Sequence, residues 1–363
     1  MRRLVCSGLC ALAPAFAVAQ PGATTAAASW SVQPSPNVRT FSNFLAGVAA
    51  TSASNAWAVG EYFKPGTGQT LIQHWNGRAW AIQPSPNASS ADGLAGVAAT
   101  SASSAWAVGS SQNGTAPDRT LIEHWNGQAW AIQPSPNVGS LGNNLTRVAA
   151  TSAANAWAVG YFAHGSGIQT LIEHWNGQRW AIQPSPDPGT VNQLYGVAAT
   201  SASNAWAVGL YQTGTAPDRT LIEHWNGQAW AVQPSPNVGT GANDLYGVAA
   251  TSAASAWAVG RTLIAHWNGR RWAVQPSPTT GSVDAVAATS AASAWAVGAY
   301  QKSTPPGRTF IEHWNGQRWA VQPSPSVGVS ANNLYGVAAT SAAGAWAVGS
   351  YRGLARTLIL SYH

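Results

Sequence analysis

Between Thr220 and Pro236 the chain reads TLIEHWNGQAWAVQPSP, with apolar and polar positions alternating on both sides of Asn226-Gly227. Alternation with a period of two marks half-buried strands. An Asn-Gly pair between two such runs predicts a tight hairpin, because both turn positions take positive φ. Near-copies start at Thr70, Thr120, Thr170, Thr262 and Thr309; the first half alone returns at Thr357 and the second half alone stands at Ser29. The chain is one supersecondary unit, repeated.

Each full unit offers four strand candidates. The first is GVAATS, as at Gly47 to Ser52, and a tight polar turn leads to the second, AWAVG, as at Ala56 to Gly60. A variable loop precedes the third, TLIEHW, and the Asn-Gly turn leads to the fourth, which the prolines of QPSP terminate because proline cannot donate to a ladder. Four short strands in roughly 40–50 residues is the signature of a β-propeller blade. First strands made of Gly, Val, Ala, Thr and Ser suit blades crowding around a central channel. The other three strands carry one Trp each, where blades diverge, and these positions account for all 20 tryptophans.

The two ends complete each other. Ser29 to Ser35 reads as a fourth strand and Thr357 to His363 as a third, so the last unit lacks an outer strand and the first segment supplies it. Pairing them closes a ring and removes an exposed sheet edge. The expected fold is all-β: a seven-bladed β-propeller of four-stranded antiparallel blades, spanning residues 29–363 and zipped by its termini.

Composition adds the compartment. Met1 to Ala19 has a basic start (Arg2, Arg3) and an apolar run ending in Ala17-Val18-Ala19, the form of a secretory signal peptide. Residues 20–28 form a short spacer. Both cysteines, Cys6 and Cys10, lie in that leader, so the exported chain has no disulfide, thiolate nucleophile or cysteine metal site. A secreted, periplasmic or cell-surface monomer without a membrane span is expected. Two charges of the formal +6 belong to Arg2 and Arg3 in the leader, which leaves +4 on the rest. There Arg and Lys are scattered through the repeats, with no basic run beyond Arg270-Arg271. A nucleic-acid footprint needs a clustered stripe, so no such partner is expected.

The run S-A-S-N-A-W-A-V-G followed by T-L-I-E-H-W-N-G-Q-A-W-A-V-Q-P-S-P resembles the tandem repeats of secreted bacterial β-propellers, kelch-like or Asp-box-like in architecture. The resemblance covers Ser29 to His363 and implies the fold rather than an activity. No Asp-box aspartate precedes the second-strand Trp, which sets the chain apart from the sialidase type.

Six repeated histidines (His74, His124, His174, His224, His266, His313) invite a metal reading. Equivalent positions on successive blades lie about a sheet spacing, ~10 Å, apart, too far to converge on one ion. A packing role, no metal and no cofactor are expected. The repeated acids Glu123, Glu173, Glu223 and Glu312 face the same objection as a catalytic pair. They keep open a lectin with one sugar site per blade, since fucose-binding and tachylectin-like propellers have a similar W-[DN]-G-x-x-W hairpin. A hydrolase or lyase at the channel mouth would need convergence among Asp284, Asp244 and Glu61, which come from different blades.

Variation points elsewhere. The long loops, such as SQNGTAPDR, YFAHGSGIQ and AYQKSTPPGR, emerge on one face, where binding residues concentrate on a rigid scaffold. There the residue preceding Gly-Val runs Ala46, Ala95, Thr146, Tyr195, Tyr246, Asp284, Tyr335 around the ring. In the fifth unit the second-to-third loop shrinks to Arg261, and the connection from Thr279 to Ala285 is also short, which predicts a notch in the rim. The candidate ligand site is therefore Tyr195, Tyr246, Asp284, Tyr335 and Arg261. The expected function is a non-enzymatic binding or scaffold module for a glycan, a cell-wall polymer or a protein.

Overall fold

The computed structural model describes residues 28–363 apart from 39–40, 262, 279–280, 301–306, 329–330 and 352–354. The leader expected at 1–19, the spacer up to residue 27 and most of the loop around 301–306 lie outside the described residues. The described chain forms 28 strands, β1–β28 in chain order, from Trp30 to Tyr362. No described helix is long and apolar enough to cross a membrane.

Strands pair in sequence order within antiparallel units of four, and the chain is an all-β propeller. Hydrogen bonds define six sheets rather than seven separate ones. Five have four strands; the third and fourth units share one eight-stranded sheet. A single parallel bridge, Ile168 to Val191, makes that join, with the Ile168 N–H donating to the Thr190 carbonyl at 3.2 Å. The third strand of that unit, β12 (Gly167–Trp175), begins early enough to reach its neighbour.

The split unit is assembled as the sequence implies. β1 (Trp30–Gln33) lies antiparallel to β28 (Arg356–Tyr362), with Trp30 opposite Tyr362 and Gln33 opposite Ile359. Side chains tie the seam: Gln33 Nε2 donates to Ser361 Oγ at 2.7 Å, and Asn37 Oδ1 accepts from the Thr357 N–H at 3.0 Å.

The innermost strands are β2 (Ser42–Ser52), β6 (Ala91–Ser101), β10 (Asn143–Ser152), β14 (Val191–Ser201), β18 (Leu245–Ser252), β22 (Ser282–Ser290) and β26 (Asn332–Ser341). Each touches the next, and β26 touches β2. Contact is at backbone range: a Cβ on Gly336 would lie 3.2 Å from the Gly47 Cα, and one on Gly47 3.2 Å from the Gly96 Cα. The small residues of the first strands suit this close approach.

Further out, tryptophan fills the widening gap. Trp57 sits fully buried against Trp125 and Trp130 of the following unit, ring centroids 5.0 and 5.1 Å away, the latter nearly perpendicular. The arrangement recurs around the molecule. At the split unit Tyr362 takes the third-strand position, 4.5 Å from Trp295, and Trp30 takes the fourth-strand one. Seven hydrophobic clusters result, each drawn from two adjacent units.

The innermost strands start before GVAATS, at Ser42 in the first unit and Leu245 in the fifth, and each contains a bulge. Pairing shifts by one between Leu45 and Gly47, and at the equivalent place in every unit. That shift drives a carbonyl into the facing strand. A Cβ on Gly209 would come within 1.8 Å of the Gln193 carbonyl oxygen, and the other AWAVG glycines are equally crowded. Gly209→Ala should therefore cost about 3 kcal/mol or more. Gly241→Ala, where a Cβ meets open space, should stay within about 0.5 kcal/mol of the parent. Urea unfolding of both variants checks the contrast.

Candidate functional site

The bulges determine what faces the channel. The residue left unpaired in each is the one before Gly-Val: Ala46, Ala95, Thr146, Tyr195, Tyr246, Asp284 and Tyr335. A bulge bends the strand and re-aims the extra side chain. All but Ala46 line one open cavity of about 310 Å³ at the long-loop end of the channel, together with Arg147. Four of the five sequence-derived candidates, Tyr195, Tyr246, Asp284 and Tyr335, are brought together there. Arg261 stands outside the lining.

The tyrosines form an aromatic wall whose hydroxyls are partly engaged. Tyr195 and Tyr246 meet edge to face at 5.8 Å. Tyr195 donates its hydroxyl to Gln193 Oε1, and Tyr246 donates to Asp244 Oδ2 at 3.0 Å. Arg261 caps this second contact, donating to the Tyr246 hydroxyl from Nε and Nη2 while pairing with Asp244 Oδ2 at 3.3 Å. Arg261 thus braces Tyr246 from the rim. Burial raises the pKa of Tyr195 and of Tyr246, so both rings are neutral phenols in the physiological range.

Arg147 is the residue that sequence reasoning missed. It occupies the position held by Gly47, Gly96, Gly196, Gly247 and Gly336 in other units and by Ala285 in the sixth. Its side chain crosses the channel: Nη1 donates to the carbonyls of Ala95 (2.6 Å) and Thr146 (2.9 Å), and Nη2 to that of Tyr335 (3.2 Å). Below it lies a smaller cavity of about 140 Å³, lined by the Gly-Val positions of all seven units. Arg147 therefore floors the cup, although it keeps some surface open to the channel. Burial lowers its pKa and Asp284 opposes that shift. Asp284 is raised by burial, with the Ser282 hydroxyl (3.1 Å) and the Arg147 charge pulling it back down. Restoring the usual residue with Arg147→Gly should join the two cavities. Three carbonyls would lose their donor, at about 1–3 kcal/mol in total stability, readable by urea unfolding.

The other acids of interest are dispersed. Asp244 is buried in its pair with Arg261. Glu61 lies in a separate cavity of about 380 Å³ beside Phe44, Phe63, Asp92 and Asp118, where burial pushes its pKa to about 7. Asp284 alone of the three lines the cup.

The repeated histidines are packing groups. His74 stacks on Trp57 at 4.1 Å and its Nε2 donates to Asn55 Oδ1 at 2.8 Å; the Asn55 amide in turn donates to Thr51, which fixes the tautomer. His174 and His224 repeat the bond to asparagine, while His124, His266 and His313 meet a serine. Burial lowers all six pKa values.

The repeated glutamates are sealed at the seams. Glu123, Glu173, Glu223 and Glu312 have no exposed surface. Each accepts from the PSP serine of the preceding unit, as in Ser185 Oγ to Glu223 Oε2 at 2.8 Å. Burial raises Glu123, Glu173 and Glu223 from 4.5 to about 8. In the first unit the position is Gln73, which accepts from Ser35 and donates Nε2–H to the Pro36 carbonyl at 2.9 Å. The chain itself thus places a neutral donor–acceptor group there, the pattern a protonated glutamate offers. These positions are out of reach of a per-blade sugar.

A folded-state pKa above the unfolded one means that the fold holds the extra proton. The stability contributed is complete below about 4.5 and is lost as pH rises through about 8. Glu223→Gln should remove that unit's share. Relative to the parent, its Tm should rise progressively between pH 5 and pH 9. A constant offset across that range would contradict the assignment.

No known family model matches the sequence, and no curated protein does. Among solved structures, the chain is similar to YCF48 bound to a D1 peptide, with 14% identity over 92% of this chain and 94% of that one and a TM-score of 0.57. It is likewise similar to YCF48 from Cyanidioschyzon merolae, with 14% identity over 92% and 99% and a TM-score of 0.56. At that identity the likeness is one of fold, and it places the chain among β-propellers.

Proposed function

We propose that this chain is an exported, seven-bladed, non-enzymatic binding module that takes a segment of another protein into the cup at its channel mouth. The seven-blade reading is supported by the cycle of contacts among the innermost strands and by the seven seams, with the shared sheet a local fusion of two blades. Export is supported by the leader sequence, as is a place outside the cytoplasm.

The observation that carries the binding role is the cup itself. The bulge position varies most in chemistry around a largely repeated inner ring, and its larger and charged side chains are concentrated on one side. Three tyrosines and Asp284 stand against small residues, over a floor of Arg147. An apolar, pre-formed concavity with a few convergent polar groups is the general form of a ligand site. Tyrosine and arginine are the side chains that dominate protein recognition energetically. A D1 peptide on a propeller of similar fold favours a peptide over a glycan as occupant.

Panning a random peptide-display library on the protein tests the reading. Selected peptides should bind the parent at one site per chain, and Tyr246→Ala with Tyr335→Ala should weaken them at least tenfold, about 1.4 kcal/mol. Peptides that bind the double variant as well as the parent would remove the cup from the binding role. Several equivalent sites per chain would favour a repeated blade surface instead.

A further inference from the structure

The end of the molecule opposite the cup has a uniform electrostatic character. Each unit finishes there in a Ser-Ala turn, and most also in an Asn-Gly turn packed against it. Trp75 Nε1 donates to the Ala53 carbonyl at 3.0 Å, and a Cβ on Gly77 would lie 3.0 Å from the Ser54 Cβ. Arg78, Arg179, Arg270, Arg271 and Arg318 stand exposed on the Asn-Gly turns. None of the turns at this end carries an acid. The acids outside the buried glutamate position all fall on the long-loop side. Five arginines separated in sequence are therefore brought by the fold to one face whose turns carry no acid, whereas the arginines of the opposite side lie among its aspartates.

The chain also enters the propeller from this face. Trp30 pairs with Tyr362, which pairs with Ala345 beside the last Ser-Ala turn, and the Ser29 N–H donates to the His363 carbonyl at 3.2 Å. Ser29, near the start of the described chain, therefore lies on the arginine side.

We propose that the tight-turn face docks on a lipid bilayer bearing anionic phosphate headgroups, held by these five arginines. They are spread over four units around the ring and leave no continuous track such as a linear polyanion would follow. A plane of headgroups meets them together. The turn tips are Gly, Gln, Asn, Ser, Ala and Arg, with no large apolar group to insert, so attachment is electrostatic and screened by salt. The cup then faces away from the membrane, open to a partner.

Co-sedimentation with phosphatidylcholine vesicles, with and without phosphatidylglycerol, tests this. The chain from Gln20 serves, because every described strand lies within Trp30–Tyr362. The turn variant R78Q/R179A/R270Q/R271A/R318A uses residues that the second and fourth units already carry at Gln128-Ala129 and Gln228-Ala229. A control, K64Q/R119Q/R219Q/R308Q, removes charge from the opposite side. The parent and the control should bind anionic vesicles at low salt and release in high salt, and the turn variant should partition at least about tenfold more weakly. The milder R270Q/R271A gives an intermediate loss should the five-fold variant misfold. Equal loss in control and turn variants, equal binding to neutral vesicles, or no binding to anionic vesicles at low salt would overturn the proposal. Binding to soluble polyphosphate but not to vesicles would do the same.

Discussion

The structure depends on one repeated grip: a second-strand indole of each unit held between two aromatic rings of the next, both indoles except where Tyr362 replaces one. Trp106, for example, meets Trp175 at 4.9 Å and Trp180 at 5.1 Å, with its own unit's His124 stacked behind it. A buried Trp withdraws about 150–250 Å² from water. At roughly 25 cal/mol per Å² that is several kcal/mol per ring before entropy. No unit buries this surface by itself. The core consists of seams rather than a centre, which is why the first-strand residues can be small and the channel can stay open to function.

Chemical variation, in turn, is displaced to the least regular feature of the inner strands. Around most of the ring the channel wall is Gly and Val, fixed by the close approach of neighbouring backbones. The bulge above it is free of that constraint, since its side chain has no partner across the ladder. The scaffold thus separates two demands: positions in contact with the next unit are dictated, and the bulge position is open to change. Two residues depart from glycine in that layer: Ala285 adds only a methyl group, and Arg147 extends across the channel. It satisfies three carbonyls contributed by three different units.

Much of this was legible in one dimension. Strand order, the Asn-Gly turns, the division of Trp among three strands and the exchange of an outer strand between the termini all follow from period and copy number. The four cup residues could be found because they break a pattern. The bulge could not, because pairing register is a property of two strands and leaves no trace in the alternation of one. Arg147 was visible as a departure from Gly, yet its reach to Ala95 and Tyr335 depends on which strands meet at the axis. The join at Ile168 and Val191, which merges two sheets, likewise depends on strand ends lying side by side. The arginines of the Asn-Gly turns look dispersed along the chain because the distance between them in sequence is one full repeat.

The exchanged strand also governs when the molecule can exist. Trp30 is among the first residues of the propeller to be synthesised, and its seat against Trp295 and Tyr362 is among the last. Until the final strand emerges, the nascent chain is an open arc of near-identical units with an unmatched indole at each extremity. The last seam can therefore close only after Tyr362 has emerged, which makes closing the ring a step of completed synthesis rather than of elongation.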